Sequence, residues 1–536
     1  MRAGSRVLPW VAALAVASAV ALQLGFPVGS VAFDAIASTL HWERLVSGHH
    51  LEAFLPTTPK PVLTVIYGPL YALTGDWRAI GWASIAAFAA VIALIAVLVQ
   101  RLAGGPAAAF TAVALAGLPH LLRDAHLGHA STWATAAAAL AAWAVLRERP
   151  RYGLAGLALL AAGLLRLELV TITATALAFL ALDALAARIA PARWRLRAPR
   201  RAWLLAAGLL MFPIMCLHDW WLIGDPLWWT TVSPGWSAVI ADRVVPPAQL
   251  FGEIAARHVA APALVALSAV GFVRIVRRGL VPLWIGMLGM GPGTIALFLV
   301  MTARGQYVNE RYYTSMDAVA IVAAAFGIGW LAERLGQVAS IRRLPAPRAA
   351  FGGTSLGGSA LGGTVRGGTM LRATTLAGVA LAGMAAVAAI PGWAGLGTGV
   401  RDDIRTYRRL AENFETALPV LRAELASVPG VHDWPNGAAP TDQVLVLPIA
   451  LWPQASLDLD IPLTRFGMLV RGDVDVAGGV PATGQLVLHD RSLVARRPLV
   501  PDLELSEPTQ IGGVLVVPLL ADPARGLWLL RLQLAP

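Results

Sequence analysis

Long apolar runs separated by basic loops are the feature that most restricts how this chain can fold. A run of about 20 apolar residues crosses a bilayer as a helix, because only a helix satisfies its own backbone groups there. Two further runs lie within residues 153–188, interrupted by the sequence LRLEL. The remaining runs cover residues 8–27, 80–100, 105–122, 130–147, 202–222, 260–276, 280–301, 314–333 and 373–392. They predict an α-helical polytopic membrane protein with about eleven transmembrane helices.

Composition agrees with a membrane protein, since the chain is 57% hydrophobic and only 14% charged. Soluble domains carry about a quarter charged residues. The net charge of +11 lies in loops between apolar runs, so it indicates a lipid bilayer as partner and no nucleic acid. The apolar run after MRAGSR has spanning length and no convincing cleavage site, which predicts a retained anchor helix.

The basic loops also predict the orientation of the chain. The stretches MRAGSR, QRLAGG, RERPRY, RIVRRG and those near residues 188–201 and 333–348 all fall on one side if the spans alternate. Lysine and arginine mark the cytoplasmic side. We therefore expect a cytoplasmic N-terminus in an inner or plasma membrane, with residues 28–79, 123–130, 223–259 and 303–313 outside.

The chain changes character after residue 393. Residues 1–393 are predicted to form the transmembrane module, with a Gly-rich cytoplasmic linker at 349–369. Residues 394–536 begin with an amphipathic helical pattern and continue as short apolar runs bounded by Gly, Pro and Asp. This pattern predicts an extracytoplasmic α/β or mostly-β soluble domain.

Asp34 follows the first apolar run and is predicted to lie on a helix that begins near Phe33. A carboxylate that is partly desolvated at the rim of a membrane cavity can act as a base. Helical geometry suggests that either Asp34 or the pair His41 and Glu43, but not both, faces any one site. The alternative is an ordinary loop acid that pairs with Arg44 or Lys60.

Basic residues in the outside segments are candidates for binding a phosphate. Lys60 stands between prolines, before a Gly- and Pro-broken apolar stretch that predicts an interfacial or re-entrant helix. Arg304, Arg311 and Tyr312 lie at the mouth of two spans, and arginine matches phosphate oxygens with two donors at once. Anchoring at the membrane interface is the alternative function for all four residues.

Other polar residues are candidates for supporting roles or for binding an acceptor. Asp124, His126 and His129 are predicted on a short outside turn, where the histidines have only loose metal-ligand spacing. Arg166 and Glu168 stand at membrane depth, where ionisable groups usually pair or line a cavity. The sequence predicts no metal site and no cofactor, although it leaves a divalent metal open.

The order of these motifs resembles a known family. Asp34 is followed by LVSGHH, then by PKPVLTVIYGPLYALTGDWR, LLRLEL, IGDPL and ERYY. This order resembles the integral-membrane glycosyltransferases of the C superfamily, in particular the branch with protein O-mannosyltransferases and the aminoarabinose transferases that modify lipid A. The resemblance covers roughly residues 1–335. Two motifs depart from it: alanine follows Asp34, and HASTWA stands where the family has a TD motif.

The resemblance implies a glycosyltransferase that moves a sugar from a polyprenyl-phosphate carrier to an acceptor outside the cytoplasm, with inversion. Asp34 would accept the proton of the acceptor hydroxyl. Arg311, with Lys60 and Arg304, would hold the departing phosphate. The acceptor, a glycan, a lipid or a protein, stays unknown. Two other classes remain alternatives: a transporter or flippase of a lipid-linked saccharide, and a non-catalytic envelope assembly protein.

Overall fold

The structure is a computed structural model. It describes residues 31–51, 59–189, 199–231, 244–259, 261–308, 313–341, 399–428, 444–447, 451–463, 466–468, 486–490, 507–511 and 514–534. Predictions that concern residues 8–27, 349–369 and 373–392 lie outside these ranges.

Helices form the first part of the described chain. They are α1 Phe33–Ser47, α2 Pro61–Thr74, α3 Trp77–Ala103, α4 Gly105–Ala116, α5 Pro119–Leu127, α6 Ala130–Val145, α7 Tyr152–Leu165, α8 Val170–Ile189, α9 Met211–Ile223, α10 Pro247–Val259, α11 Pro262–Arg277, α12 Val281–Leu288, α13 Thr294–Ala303 and α14 Thr314–Ile341. A 3₁₀ segment, Arg200–Leu210, runs directly into α9, and a π-helical turn, Gly289–Gly293, joins α12 to α13.

Five of the described helical segments are long and apolar enough to cross a membrane. They are Trp77–Ala103, Leu167–Ala186, Arg200–Ile223, Val281–Ala303 and Thr314–Leu335. The pair α4 and α5 makes a sixth if it counts as one span, bent by 57°. Helices α2, α6 and α7 are apolar but shorter. The expected membrane character is therefore present, and the total of eleven spans stays a prediction.

Two helix breaks occur at polar or glycine-containing sequences. The LRLEL sequence forms a short 3₁₀ turn at Leu167–Leu169 between α7 and α8, as the interrupted apolar run suggests. The predicted outside turn at 123–130 is wrong in its form, because Asp124 and His126 lie on helix α5. Proline at the first position of α5 starts the helix, and Gly128 ends it in a left-handed conformation.

The C-terminal part is a mixed sheet with two helices. Its elements are α15 Gly399–Leu425, β1 Leu445–Leu447, α16 Trp452–Leu459, β2 Phe466–Met468, β3 Leu486–Asp490, β4 Thr509–Ile511, β5 Val514–Asp522 and β6 Leu527–Leu534. The strand order is β2-β1-β3-β6-β5-β4. Strand β1 pairs in parallel with β2 and β3, whereas β6 pairs antiparallel with β3 and β5. Strands are present where the alternating apolar runs predict them.

One hydrophobic core joins the C-terminal part to helix α1. Ala37 and Leu40 of α1 are fully buried in the same apolar cluster as Phe414 of α15, Ala455 of α16 and Leu488 of β3. The opposite side of α1 packs on α2 so closely that a Cβ on Gly68 would lie 2.0 Å from Cγ of Trp42. Helix α1 is thus fixed from two sides, and this packing positions the polar residues that it carries.

Candidate active site

Asp34 lies in the first turn of α1 and is only 6% exposed. The start of this helix is tied to the end of α5, because the Ala32 amide donates a 2.8 Å hydrogen bond to the Leu127 carbonyl. The expected helix start near Phe33 is confirmed. The carboxyl group of Asp34 therefore has a defined position at the junction of α1, α2 and α5.

Lys60 immediately precedes Pro61, the first residue of α2. Its side chain is 7% exposed, and Nζ lies 3.6 Å from Oδ2 of Asp34. A buried ammonium group is stable only beside a negative charge, so the carboxylate and the ammonium depend on each other. The pairing of Asp34 with Lys60 is the one that the alternative interpretation expects, but the carboxylate is buried on a helix and does not lie in a solvated loop.

His129 completes a group of three titratable side chains. Its Nδ1 atom lies 3.4 Å from Oδ2 of Asp34, and the residue stands at the N-terminus of α6. Gly128 allows the tight α5–α6 connection, since its φ is +72° and a Cβ there would lie 3.2 Å from Val31. We call Asp34, Lys60 and His129 the acid–base group.

A hydrogen-bond chain supports this connection from inside the protein. The Tyr67 hydroxyl donates to the Gly128 carbonyl at 3.0 Å, and the indole Nε1 of Trp133 donates to the Tyr67 oxygen at 2.8 Å. The chain links α2, the α5–α6 connection and α6. It holds the backbone that presents His129 to Asp34.

Asp124, another predicted residue of α5, lies next to the acid–base group. Asp124 is completely buried, its Oδ1 lies 3.6 Å from Nη2 of Arg123, and its carbonyl accepts a 2.9 Å hydrogen bond from the His129 amide. His126 is also buried. Asp124 therefore connects to His129 through the backbone, which is compatible with a supporting role.

Arg166 and Glu168 form a separate ion pair. The guanidinium Nη2 lies 2.6 Å from Oε1 of Glu168, and Nε donates to the same oxygen at 2.6 Å. The pair sits at the break between α7 and α8. The contact neutralises both charges at membrane depth, as expected for ionisable groups there.

The arginines predicted to bind the donor phosphate are not brought into the acid–base group by any described contact. Arg304 is exposed at the C-terminal end of α13 and forms no ion pair with a described residue. Arg311 and Tyr312 lie outside the described residues. Their role in binding phosphate stays a prediction.

The prediction from helical geometry is wrong for His41. It lies seven residues after Asp34, which is nearly two helical turns, so both side chains project from the same side of α1. The expectation that Asp34 and His41 exclude each other is therefore wrong. Burial lowers the pKa of His41 well below its usual value, and the nearby charges of His218, Lys60 and Arg44 lower it further.

His218 and Asp219, in the second half of α9, lie beside His41. The His41 and His218 ring centroids are 6.0 Å apart, and Nδ1 of His218 is 3.0 Å from Oδ1 of Asp219. Neither His218 nor Asp219 is among the candidate residues that the sequence suggests. The histidine–carboxylate dipeptide inside an apolar helix is the signal that could have indicated a polar cluster.

Glu43 and Arg44 connect α1 to the C-terminal part. Arg44 forms an ion pair with Glu43, and its Nη2 donates a 2.8 Å hydrogen bond to Oγ of Ser456 in α16. Glu43 is partly exposed, so it lies away from the acid–base group. Its contact with Arg44 is compatible with a supporting role.

The site chemistry is that of a carboxylate with two basic neighbours. Within the described ranges, no group of three or more His, Cys, Asp and Glu side chains has an arrangement that could hold a metal ion. The carboxylate can accept a proton, and the ammonium can stabilise an anion. A separate apolar cavity of about 310 Å³ lies in the helical bundle, lined by residues such as Ala139, Leu159 and Phe179, and it contains none of these groups.

The helical bundle and the C-terminal sheet together have a fold similar to those of ArnT and of an archaeal oligosaccharyltransferase, as the resemblance of the sequence motifs implies. ArnT from Cupriavidus metallidurans, in its apo state, is similar over 97% of this chain and 97% of its own, with a TM-score of 0.53 and 14% identity. The same protein bound to undecaprenyl phosphate is similar over 97% of this chain and 98% of its own, with a TM-score of 0.52 and 13% identity.

A second similar structure is the oligosaccharyltransferase of Archaeoglobus fulgidus in its apo form. It has a TM-score of 0.53 and 13% identity, over 91% of this chain and 70% of its own. The sequence matches no protein-family model and no curated protein. At these identities the similarity establishes the fold of the chain.

Proposed function

We propose that this protein is a glycosyltransferase that moves a sugar from a polyprenyl-phosphate carrier to an acceptor outside the cytoplasm, with inversion at the anomeric carbon. The buried contact between Asp34 and Lys60 is the observation that carries the proposal, because a carboxylate that can accept a proton lies next to an ammonium that can stabilise a phosphate. The similarity to ArnT, a protein with a structure bound to undecaprenyl phosphate, supports this choice of carrier.

In the proposed reaction, the acceptor hydroxyl oxygen attacks the anomeric carbon from the side opposite the phosphate. A new carbon–oxygen bond forms as the bond to the phosphate oxygen breaks, and the phosphate leaves with the electron pair. The hydroxyl proton passes to a carboxyl oxygen of Asp34. Lys60 stabilises the negative charge on the departing phosphate, which otherwise would oppose bond cleavage.

Three further residues are proposed to bind the donor phosphate together with Lys60. Arg304, Arg311 and Tyr312 would supply guanidinium and hydroxyl donors, which match phosphate oxygens. His129 keeps a basic group beside the carboxylate when Lys60 turns to the phosphate, since its Nδ1 lies 3.4 Å from Asp34. Asp124, His126, Arg166, Glu168 and Glu43 are assigned supporting or acceptor-side roles.

The proposed orientation places the N-terminus in the cytoplasm and the acid–base group with residues 394–536 outside it. The alternating basic loops support this orientation. A labelling experiment tests it: in a Cys216→Ser background, a cysteine at exposed His49 should react with a membrane-impermeant maleimide in intact cells. Labelling only after the cells are broken would overturn the orientation.

The enzyme reaction can be tested with purified protein in nanodiscs. The protein is incubated with undecaprenyl-phosphate sugars that carry different radiolabelled hexoses and pentoses, together with a membrane extract as the source of acceptor. We expect one carrier to be consumed, with loss of consumption in Asp34→Asn. If no carrier is consumed by the unsubstituted protein, or if Asp34→Asn consumes it at the full rate, the assignment fails.

A further inference from the structure

A second polar cluster lies beside the acid–base group. It consists of His41, His218 and Asp219, and we call it the imidazole cluster. Nδ1 of His218 lies 3.0 Å from Oδ1 of Asp219, and the Trp229 amide donates a 2.7 Å hydrogen bond to Oδ2. Both carboxyl oxygens are therefore engaged, and Nε2 of His218 is directed away from Asp219, where it accepts a hydrogen bond when the ring is neutral and donates one when the ring is protonated.

The imidazole nitrogens of this cluster lack the partners that buried polar atoms normally have. His41 is 1% exposed, and neither of its ring nitrogens has a hydrogen-bond partner among the described residues. Nε2 of His218 is likewise buried without such a partner within the described part of the chain. Because buried polar atoms in native proteins are almost always hydrogen-bonded, these three nitrogens indicate a position for a polar ligand.

The protonation state of His41 restricts the class of ligand that the imidazole cluster can bind. Burial lowers the pKa of His41, and the neighbouring charges of His218, Lys60 and Arg44 act in the same direction. His41 is therefore neutral near pH 7, with one nitrogen as donor and the other as acceptor. A neutral donor–acceptor pair suits hydroxyl groups, which also donate and accept, better than it suits an anion.

An aromatic side chain completes the surroundings. The Trp228 ring contacts the His41 ring edge-on, with 6.4 Å between centroids. Tryptophan combines a large apolar surface with polar neighbours, and such surfaces suit the apolar CH groups of a sugar ring. Hydroxyl partners and an apolar ring face therefore occur together at this place.

We propose that His41 and His218, with Asp219 orienting His218, form the subsite for an uncharged, hydroxyl-bearing sugar of the lipid-linked donor. The inference rests on the proposed function. It assigns the donor because Lys60 contacts Asp34, which lies on the same side of α1 as His41, and because the transferred sugar is bonded directly to the phosphate that Lys60 would hold. Asp219 is a positioning residue in this arrangement.

A binding comparison in nanodiscs tests the proposal. The probes are undecaprenyl phosphate and the same lipid carrying glucose, mannose, galactose or arabinose. We expect at least one sugar-bearing lipid to bind about tenfold more tightly than the sugar-free lipid. In His41→Phe and His218→Phe, the affinities for the two lipids should differ by less than about twofold. The affinity for undecaprenyl phosphate itself should not change. His41→Gln, which keeps hydrogen-bonding atoms, should retain part of the preference.

Controls separate the subsite from general effects. His49→Phe, at an exposed position outside the cluster, should keep the full ratio. Unchanged ratios in the His41 and His218 variants, or equal weakening of both kinds of lipid, would overturn the proposal. If the unsubstituted protein prefers no sugar-bearing lipid, the subsite is also wrong. Failure to bind even undecaprenyl phosphate would instead remove the proposed function and the subsite with it.

A final arm distinguishes a donor sugar from an acceptor sugar. Methyl glycosides of the same four sugars are titrated against protein saturated with undecaprenyl phosphate. One outcome is that the methyl glycosides bind and that His41→Phe loses this binding, while the ratio of the affinities for sugar-bearing and sugar-free lipid is unchanged. In that case the cluster binds the acceptor sugar. That result would overturn the assignment to the donor.

Discussion

Oδ2 of Asp34 lies 3.4 Å from Nδ1 of His129, although the two residues stand on different helices. The same oxygen lies 3.6 Å from Nζ of Lys60, so three segments of the chain converge on one carboxyl group. Two hydrogen bonds fix the convergence, since the Ala32 amide donates to the Leu127 carbonyl and the Tyr67 hydroxyl donates to the Gly128 carbonyl. A substitution at Asp34 therefore tests both the chemistry and the electrostatics of the site.

Asp34→Asn should reduce sugar transfer by about 100-fold or more, because a positioned general base contributes about 10²–10⁴ to a rate. The amide keeps the shape of the side chain but cannot accept the proton. Initial rates with a consumed undecaprenyl-phosphate sugar measure the effect. Asp76→Asn is a matched control at an exposed helix N-cap and should keep the full rate. A full rate in Asp34→Asn, with the protein folded, would contradict the role of Asp34 as base.

The ion pair of Asp34 and Lys60 should make the two residues energetically dependent on each other. Either Asp34→Asn or Lys60→Met leaves one charge buried without its partner, which typically costs about 3–5 kcal/mol. The double variant removes both charges. We expect its loss of unfolding free energy to be smaller than the sum of the two single losses by about 0.5–3 kcal/mol. Thermal unfolding in detergent measures this coupling. Additive effects would mean that the 3.6 Å contact contributes no stability.

Ser456→Ala should weaken the attachment of α16 to α1. The hydroxyl accepts a 2.8 Å hydrogen bond from the buried guanidinium of Arg44, and a hydrogen bond to a charged group is worth about 1.5–3 kcal/mol. We expect a lower unfolding temperature together with faster proteolysis near α16. Ser427→Ala, at an exposed helix end, is the matched control and should have little effect. Equal unfolding temperatures for the two variants would argue against the contact.

The stability of the protein should fall on acidification through the titration of His41. The folded-state pKa of His41 lies below its ordinary value of 6.5, so the unfolded chain binds more protons between these two values. The contribution of His41 to the stability of the protein is therefore fully present above pH 6.5. It is lost as the pH falls from this value toward the folded-state pKa. His218, Lys60 and Arg44 carry the charges that face His41.

The unfolding temperature between pH 5 and pH 8 measures this dependence, within the range in which histidine ordinarily titrates. His41→Phe should have a shallower decline than the unsubstituted protein, because the residue can no longer bind a proton. His49→Phe, at an exposed position, should keep the original profile. The same slope in His41→Phe and in the unsubstituted protein would assign the pH dependence to other groups.

Gly68→Ala should disturb the packing of α1 on α2. An added Cβ would lie 2.0 Å from Cγ of Trp42, and overpacking of this kind costs about 1–3 kcal/mol. Because α1 carries Asp34, the transfer rate should fall along with the unfolding temperature. Gly286→Ala is the matched control on helix α12, where an added Cβ meets no atom within 4 Å. An unchanged unfolding temperature in Gly68→Ala would mean that α1 can shift without cost.

Local patterns in the sequence predict most of the helical architecture. Apolar runs of spanning length correspond to helices such as α3 and α14, and alternation bounded by Gly and Pro corresponds to strands β5 and β6. The helix that carries Asp34 begins at the predicted residue. These features depend on neighbours along the chain, which is why the sequence alone is sufficient to predict them.

Contacts between distant segments are harder to predict. The pairing of Asp34 with His129 depends on how α5 turns into α6 at Gly128, and no local pattern specifies that turn. The position of His41 can be predicted from the sequence, because a spacing of seven residues places it on the same side of α1 as Asp34. Its proximity to His218 requires the packing of α9 against α1, which only the folded chain reveals.

The shared core of α1 with the C-terminal sheet has a consequence for exchanging parts between proteins of this fold. Leu40 and Ala37 are buried in the same core as Phe414 and Leu488. The apolar surface of α1 is therefore complementary in shape to this particular sheet and its helices. A chimaera joined at residue 393 would bring together surfaces that have not been matched to each other. Grafting the C-terminal portion of another protein of this fold would therefore require helix α1 to be transplanted with it.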